Sequence, residues 1–234
     1  MDQFARTWAW TVMALAAIIV LVTFALIVAA SLGVVPVATT PPEANYVPIG
    51  EPGPLERDDF VRFMTYNMRW GLGTDGVNLG RTAAVINAMD ADVLFLTEVD
   101  VNWRRSGNVD QPAYLAHVTE YPHSYYGPAL KTWASGNVNP SYYGNLLLSR
   151  FPIVHAATVA LPRPVNSEPR VVIVADIAIG DETVTVLGTH LGLSETERMM
   201  QLEQIRQLIG AEPERTILLG DFNARPESAE IRRL

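Results

Sequence analysis

The chain has 234 residues, enough for one sizeable domain and an appendage, and 49% of them are hydrophobic. Its net charge of −8 at pH 7 argues against a non-specific nucleic-acid binder, because such proteins present a basic face to the phosphates. It contains no cysteine, which excludes a disulfide framework and any thiol chemistry.

The N-terminal region is strongly apolar. No charged residue lies between positions 7 and 42, and only two threonines interrupt the apolar stretch Trp8–Ala30. As a helix of about 1.5 Å per residue this stretch reaches roughly 34 Å, which exceeds a hydrocarbon core of about 30 Å. We therefore predict an uncleaved transmembrane signal anchor over residues 8–30. The alternatives are a signal peptide cleaved near Ala29-Ala30-Ser31 and a buried core helix, which is rarely apolar on every face.

The charges around this segment predict its orientation. Arg6 precedes it, and the next basic residue is Arg57. The positive-inside tendency places residues 1–7 in the cytoplasm and the rest of a single-pass cell-membrane protein outside. Residues 31–57 contain six prolines and no regular pattern, which predicts a stiff linker. Residues 58–234 are then the domain.

Beyond the linker, short apolar runs alternate with helical patterns. Continuous or alternating apolar runs predict strands, in chain order, at 60–67, 93–97, 145–149, 153–161, 170–179, 183–189 and 216–219. Apolar residues three and four apart predict helices at 79–89, 111–119, 195–209 and 226–234. The buried side of the third helix is expected to carry Met199, Leu202, Ile205, Leu208 and Ile209. The stretch 121–145 is rich in Tyr, Gly, Pro and Asn and is predicted to form loops.

The connections between the strands predict the fold class. Gly180-Asp181-Glu182 is a plausible hairpin turn, and no helix separates the strands between 153 and 189. These strands are therefore expected to be antiparallel, because parallel neighbours need a long crossover. The pattern favours an α/β (α+β) sandwich in which two mixed sheets pack together and helices flank them.

Polar residues stand at the ends of four predicted strands. Asn67, Glu98, His190 and Asp221 each follow an apolar run, at positions where sheet edges form clefts. A half-buried carboxylate at such a position needs a partner, and a metal ion is one. Each residue alone also has a structural interpretation, as a turn former, a solvated strand end, a packed histidine or an Asx turn. The four together are harder to attribute to chance than any one of them.

Five motifs in order carry a family resemblance: Thr65-Tyr66-Asn67, Thr97-Glu98, the heptapeptide 144–150, Thr189-His190-Leu191 and Gly220-Asp221-Phe222-Asn223. With this order and spacing, residues 60–234 resemble the endonuclease/exonuclease/phosphatase superfamily, which includes deoxyribonucleases, inositol-polyphosphate phosphatases and neutral sphingomyelinases. The last motif, with the Thr-His-Leu upstream of it, is the specific signal. The resemblance implies a four-layered α/β sandwich and metal-dependent phosphoesterase activity.

The resemblance also implies a role for each matching residue. Glu98 is expected to be the principal ligand of a catalytic Mg²⁺, with Mn²⁺ as an alternative, and Asn67 to support the metal site. His190 is expected to contact a phosphate oxygen and to stabilise charge in the transition state. Asp221 is expected to orient or deprotonate the attacking water, and Asn223 to hold the scissile phosphate.

The family pattern closes with a Ser-Asp-His that has no counterpart here. The chain has four histidines, and none follows Gly220-Asp221-Phe222-Asn223. The other three, His117, His123 and His155, are poor substitutes by position. We therefore expect a fragment, truncated at its C-terminus, with little or no turnover and an exposed sheet edge.

The substrate class stays open between alternatives. A tethered acidic domain favours a lipid, a sugar phosphate or a similar ester. An aromatic rim for such a ligand, or equally the packing of a loop, is the expected role of Tyr125, Tyr126, Trp133, Tyr142 and Tyr143. The first alternative is an extracellular nuclease, with candidate DNA contacts at Arg104, Arg105 and Lys131. The second alternative is a non-catalytic, membrane-tethered binding module.

Overall fold

The computed structural model describes residues 60–133, 139–210 and 213–234. The predicted anchor at 8–30 and the linker at 31–57 lie outside these residues. Within the described ranges, no helix is both long enough and apolar enough to cross a membrane.

The described residues contain ten strands and three α-helices. The strands are β1 (Phe63–Asn67), β2 (Leu72–Gly73), β3 (Gly76–Val77), β4 (Val93–Val101), β5 (His123–Thr132), β6 (Ser141–Ser149), β7 (Ile153–Ala160), β8 (Val171–Ile179), β9 (Glu182–His190) and β10 (Thr216–Asp221). The helices are α1 (Leu79–Met89), α2 (Gln111–Val118) and α3 (Glu195–Ile209), and 3-10 turns lie at Arg69–Gly71, Arg104–Ser106, Pro213–Arg215 and Ile231–Arg233.

The long strands form two four-stranded sheets of mixed direction. The first sheet has the order β1-β4-β6-β5 and the second the order β10-β9-β8-β7. In each sheet one pair is parallel, β1 with β4 and β10 with β9, and the remaining pairs are antiparallel. The expected antiparallel run from β7 to β9 is confirmed, including the turn between β8 and β9.

The two sheets pack face to face, with helices on the outer faces. Side chains of both sheets fill the central core, among them Phe95 and Leu147 from the first and Ile173 and Ile177 from the second. On the outer face of the first sheet, α1 and α2 pack through residues such as Ile86 and Leu115. On the outer face of the second sheet, α3 packs through Leu202 and Ile205. The expected sandwich of two mixed sheets flanked by helices is confirmed for the described residues.

The double coverage of the sheets explains the continuous apolar runs in the sequence. Val93 and Phe95 face the central core, while Leu94 and Leu96 face the helices, and all four are fully buried. Each such side chain contributes about 1.5–3 kcal/mol when it leaves water. The strand therefore needs apolar residues at every position rather than at every second one.

Polar side chains define where the helices begin. Asn78, Asp110 and Ser194 each stand at an N-cap and accept a hydrogen bond from the backbone N–H three residues later. An N-cap of this kind typically contributes about 1 kcal/mol. These residues explain why the predicted starts of α1, α2 and α3 agree with the structure.

Three predictions from the sequence are wrong. Residues 121–145 are not loops, because they contain β5 and the first half of β6. Residues 226–234 form turns and a 3-10 turn at Ile231–Arg233 instead of a helix. On α3, Leu208 is 38% exposed, whereas the polar Glu197 and Gln201 are buried. Gln201 is buried because it binds the backbone N–H of Gly192 and the carbonyl of Pro162.

Candidate active site

The strand-end residues converge where the two sheets meet. β1 and β10 are the neighbouring edge strands of the two sheets, and they contact each other. Asn67 ends β1 and pairs with Thr97, while Asp221 ends β10 and pairs with His190. Parallel pairing in both sheets therefore brings Asn67, Asp221 and His190 to one edge, and Glu98 follows Thr97 there.

A β-bulge directs Glu98 into this site. The register between β4 and β6 shifts between Leu96, which faces Leu146, and Val99, which faces Gly144. The bulge places one extra residue in β4, and Glu98 takes up a left-handed conformation with φ 59°. Bulges re-aim side chains in this way, and a carboxylate residue at positive φ is uncommon outside sites that require it.

Asn67 connects the two sheets through its side chain. Its amide nitrogen donates to Glu98 Oε1 and to Asp221 Oδ2, both at 2.9 Å, and its Oδ1 accepts from the backbone N–H of Arg69 at 3.1 Å. One amide thus binds a carboxylate from each sheet. The position assigned to metal support lies between the two carboxylates that it is expected to organise.

A close backbone approach sets the position of Asp221. Gly220 has φ 144°, and a Cβ atom there would lie 1.9 Å from the carbonyl oxygen of Thr189. Glycine is therefore required before Asp221. The carboxylate is then held by the backbone N–H of Asn223, 3.0 Å from Oδ1, and Asn223 binds the carbonyl of Leu191 at 2.8 Å.

Hydrogen bonds control the charge of Asp221. Burial acts to raise its pKa, but the hydrogen bonds from Asn67 and from the backbone of Asn223 outweigh burial and lower the pKa below its usual value. Asp221 is therefore a carboxylate at neutral pH. In that state it accepts a proton or orients a water molecule.

His190 lies deeper than the carboxylates and is only 5% exposed. Its Nε2 is 3.8 Å from Asp221 Oδ2, and its Nδ1 is 3.1 Å from Nη1 of Arg170. Burial, reinforced by the charge of Arg170, lowers the pKa of His190 from its usual 6.5 to about 4, although Asp221 opposes this shift. The imidazole is therefore neutral at physiological pH.

Protein side chains supply only part of the ligand set that a metal ion needs. Within the described ranges, no group of three or more His, Cys, Asp or Glu side chains is arranged to hold a metal ion. Mg²⁺ commonly takes only one or two carboxylates and keeps several waters. The half-buried Glu98, a hard oxygen donor with one oxygen already oriented by Asn67, fits that requirement.

Asn67 and Asp221 open onto a cavity of about 350 Å³. It is lined by Thr65, Asn67, Gly220, Asp221, Phe222, Asn223 and Ala224. All of the strand-end residues from β1 and β10 are therefore accessible to a ligand from one side. Of the five residues predicted for the site, Asn67, Asp221 and Asn223 line this cavity, and Glu98 and His190 contact its lining.

The predicted aromatic rim is mostly packed into the sandwich. The Tyr125 hydroxyl contacts Thr158 Oγ1 at 3.1 Å, and the Tyr126 hydroxyl donates to the carbonyl of Val99 at 3.1 Å. Tyr143 is 7% exposed, whereas Trp133 is 66% exposed. Packing therefore accounts for Tyr125, Tyr126 and Tyr143, and Tyr142 is half-buried beneath Lys131. Trp133 is the most exposed of the five aromatic residues.

Two residues that support the site were not predicted from the sequence. Asp100 is fully buried beside the bulge, accepts from Arg105 Nε at 2.9 Å and Nη2 at 2.8 Å, and also accepts from Ser106 Oγ. Arg170 stands behind His190. The predicted hairpin between β8 and β9 could have indicated Arg170. Its two-residue turn sets a register in which Val172 pairs with Thr189, and this register places Arg170 beside the end of β9 that carries His190.

The chain belongs to the endonuclease/exonuclease/phosphatase family. The sequence profile of this family matches residues 64–234, which include every residue of the site. No match is found among curated proteins. Membership makes the fold that of metal-dependent phosphoesterases and nucleases.

Solved structures show the same fold. The endonuclease/exonuclease/phosphatase from Beutenbergia cavernae DSM 12333 is 27% identical, with a TM-score of 0.61, over 72% of this chain and 49% of that chain. TDP2 from C. elegans is 24% identical, with a TM-score of 0.51, over 71% and 49%. The human Nocturnin catalytic domain is 19% identical, with a TM-score of 0.54, over 74% and 71%. The present chain thus spans about half the length of the first two.

Proposed function

We propose that this domain hydrolyses a phosphate ester or phosphodiester with the help of Mg²⁺, or of Mn²⁺ in its place. The observation that carries the proposal is the double hydrogen bond of Asn67. It joins Glu98 of one sheet to Asp221 of the other at the wall of a cavity large enough for a phosphate ester. Structural packing alone gives no reason to bring two carboxylates to one amide.

Each residue of the site has a separate role in the proposed phosphoryl transfer. Glu98 would hold the metal, which would supply Lewis-acid chemistry to the phosphate. Asp221, ionised at neutral pH, orients the attacking water and accepts its proton. Asn223 has a second amide hydrogen beyond the one given to Leu191, and that hydrogen is a donor for the phosphate. His190 stabilises the phosphate oxygens as a neutral hydrogen-bond donor.

A lipid or sugar-phosphate ester is the substrate class that we favour. The domain is acidic overall, and it follows an apolar segment of anchor length at 8–30. Leu193, three residues after His190, is 77% exposed, and Trp133 is also exposed. Apolar side chains of this kind suit the non-phosphate part of a lipid substrate. We propose accordingly that the domain is tethered to the outer face of the cell membrane.

A nuclease is disfavoured by the positions of the candidate arginines. Arg105 is committed to the buried Asp100, and the ammonium of Lys131 lies over the ring of Tyr142. These two cations have partners within the domain, whereas the third candidate, Arg104, is exposed. One such arginine does not make a DNA-binding path. The structure of D. rerio TDP2 with a single-strand DNA product shares the fold at 21% identity, and fold alone does not transfer the substrate.

The test is a substrate panel with a metal requirement. The reading frame beyond codon 234 is sequenced first, and the chain is then produced with whatever follows it. Bis-p-nitrophenyl phosphate, phospholipid vesicles and plasmid DNA are incubated with Mg²⁺, Mn²⁺ or EDTA. We expect metal-dependent hydrolysis of the first two and little of the third. Preferential cleavage of DNA would favour the nuclease, and no hydrolysis of any substrate would leave only a binding module.

A further inference from the structure

Arg170 is an unusual cation because it is almost fully buried, with 7% exposure. Its Nη1 lies 2.7 Å from Glu168 Oε1 and 3.1 Å from Nδ1 of His190. Its Nε is buried and has no hydrogen-bond partner among the described residues. An unpaired buried donor costs about 1–3 kcal/mol. The fold therefore keeps this guanidinium at a cost, which its contact with His190 explains.

The chemistry of arginine restricts what that contact allows. A guanidinium has five N–H donors and no acceptor, and it does not lose its proton in proteins. The 3.1 Å approach is a hydrogen bond only if Nδ1 of His190 offers its lone pair. A neutral imidazole that accepts at Nδ1 carries its proton on Nε2. Nε2 is the atom that faces Asp221.

The two hydrogens of Nη1 suit this arrangement. One points to Glu168 and the other to His190, so the carboxylate aims the donor at the imidazole. The Tyr143 hydroxyl stays protonated, because burial raises its pKa far above the usual range, so it adds no charge beside Arg170. The ion pair with Glu168 thus orients Arg170 toward the imidazole.

We propose that Arg170 is a positioning residue that fixes His190 as the Nε2–H tautomer. The imidazole then presents a donor to Asp221 and to a phosphate oxygen, and it has no lone pair facing the cleft. His190 is consequently unable to take the proton of the attacking water, which is left to Asp221. The assignment of the phosphate oxygen rests on the proposed function, whereas the tautomer follows from Arg170 and His190 alone.

The first experiment reads the tautomer directly. The full 234-residue chain is labelled with ¹⁵N, kept in a mild detergent because of its apolar N-terminal stretch, and measured without metal or substrate. Long-range ¹H–¹⁵N correlation distinguishes the two ring nitrogens, and H190N identifies the signals. We expect a protonated Nε2, a lone pair on Nδ1, and a coupling across the hydrogen bond from Arg170. A protonated Nδ1, or an even mixture of tautomers, would overturn the proposal.

Variants test whether Arg170 is the cause. R170M keeps a similar length without a donor, and we expect the Nδ1–H form of His190 to become populated. R170K restores a donor and is expected to recover the Nε2–H form. R163M, an exposed arginine in the same loop, serves as the matched control and is expected to change nothing. Unchanged tautomers in R170M would refute the inference.

The readouts separate this inference from the proposed function. If R170M does not fold, the wild-type coupling and the tautomer of R170K decide the outcome. A fixed Nε2–H tautomer in a protein that hydrolyses nothing would sink only the proposed function. Hydrolysis by a protein whose His190 exchanges tautomers freely would sink only the role of Arg170.

Discussion

The two halves of the site are built in different ways. The half from the first sheet depends on a distortion, because Glu98 reaches the cleft only through the bulge in β4 and its positive φ. The half from the second sheet depends on regular strand ends, with His190 and Asp221 paired directly across β9 and β10. The first half presents carboxylate oxygen near solvent, and the second sets a neutral imidazole against a buried cation. A metal suits the first half, and control of protons suits the second.

The largest expected effect falls on the proton-handling half. D221N keeps the shape of the side chain and one of the two hydrogen bonds that Asp221 accepts, but it removes the base. We expect kcat on the best substrate of the panel to fall by about 10²–10⁴-fold. Steady-state kinetics at saturating Mg²⁺ measures this loss. D181N, in the exposed turn after β8, is the control and is expected to retain full activity. A D221N enzyme with more than a tenth of the wild-type kcat would show that the base lies elsewhere.

The next effect tests the metal-binding half. E98Q replaces the carboxylate with a neutral amide of the same shape, and we expect Mn²⁺ affinity to fall by about 10–100-fold. Titration calorimetry or the electron paramagnetic resonance of free Mn²⁺ gives the affinity without any need for turnover. E203Q, on the exposed face of α3, is the control. Equal Mn²⁺ affinity in E98Q and wild type would remove Glu98 from the metal site.

The support behind the bulge predicts a smaller effect on stability. D100N weakens the buried carboxylate bonded twice by Arg105 and once by Ser106, and we expect the free energy of unfolding to fall by about 1.5–3 kcal/mol. Urea unfolding measures the change. D75N breaks the exposed ion pair with Arg81 and should change stability by less than about 0.5 kcal/mol. Equal effects of the two substitutions would mean that the bulge is not anchored by Asp100.

A further effect is a pH dependence of stability that belongs to the second half. The folded pKa of His190 is about 4 against the usual 6.5, so between these values the unfolded chain binds a proton that the folded chain does not. The contribution of His190 to the free energy of unfolding is therefore fully present above pH 6.5. It falls toward pH 4 by up to about 1.4 kcal/mol per pH unit. Urea unfolding in EDTA across this range should show a shallower dependence in H190N. H155N, at an exposed histidine, should behave as wild type, and an unchanged slope in H190N would contradict the assignment.

Much of the fold was predictable because local signals agree with tertiary structure. The N-caps Asn78 and Ser194 mark helix starts that the structure confirms, and the continuous apolar run at 93–97 indicated a strand covered on both faces. The polar strand ends were predictable for the same reason. Each ends an apolar run, and the pairing of parallel strands brings the ends together.

Strand β5 and the first half of β6 were not predictable, because their glycines serve the sheet and not a turn. A Cβ on Gly144 would lie 2.2 Å from the carbonyl of Gly127, so glycine permits close contact across this pair. Pro128 is tolerated since β5 is an edge strand and its register shifts there. In the sequence these glycines and this proline look like residues of a loop. Their role in close strand pairing is seen only in the structure.

The segment 226–234 illustrates a different limit. Its Glu230 side chain is drawn inward to Arg198, at 2.6 Å, and Ser228 accepts from the backbone N–H of Arg225. These contacts with α3 and within the turn compete with helix formation. The bulge at Glu98 was also not predictable from the sequence, because an extra residue in β4 is defined only by its pairing with β6.

The Asn67 side chain also has a consequence for the order in which the site comes into being. It joins residues that lie 154 positions apart along the chain. During synthesis the Asn67–Glu98 contact forms among early residues, but the bond to Asp221 waits until β10 has emerged and docked beside β1. A nascent chain therefore carries Glu98 long before it carries Asp221. The cleft is therefore complete only after both sheets have formed and packed together.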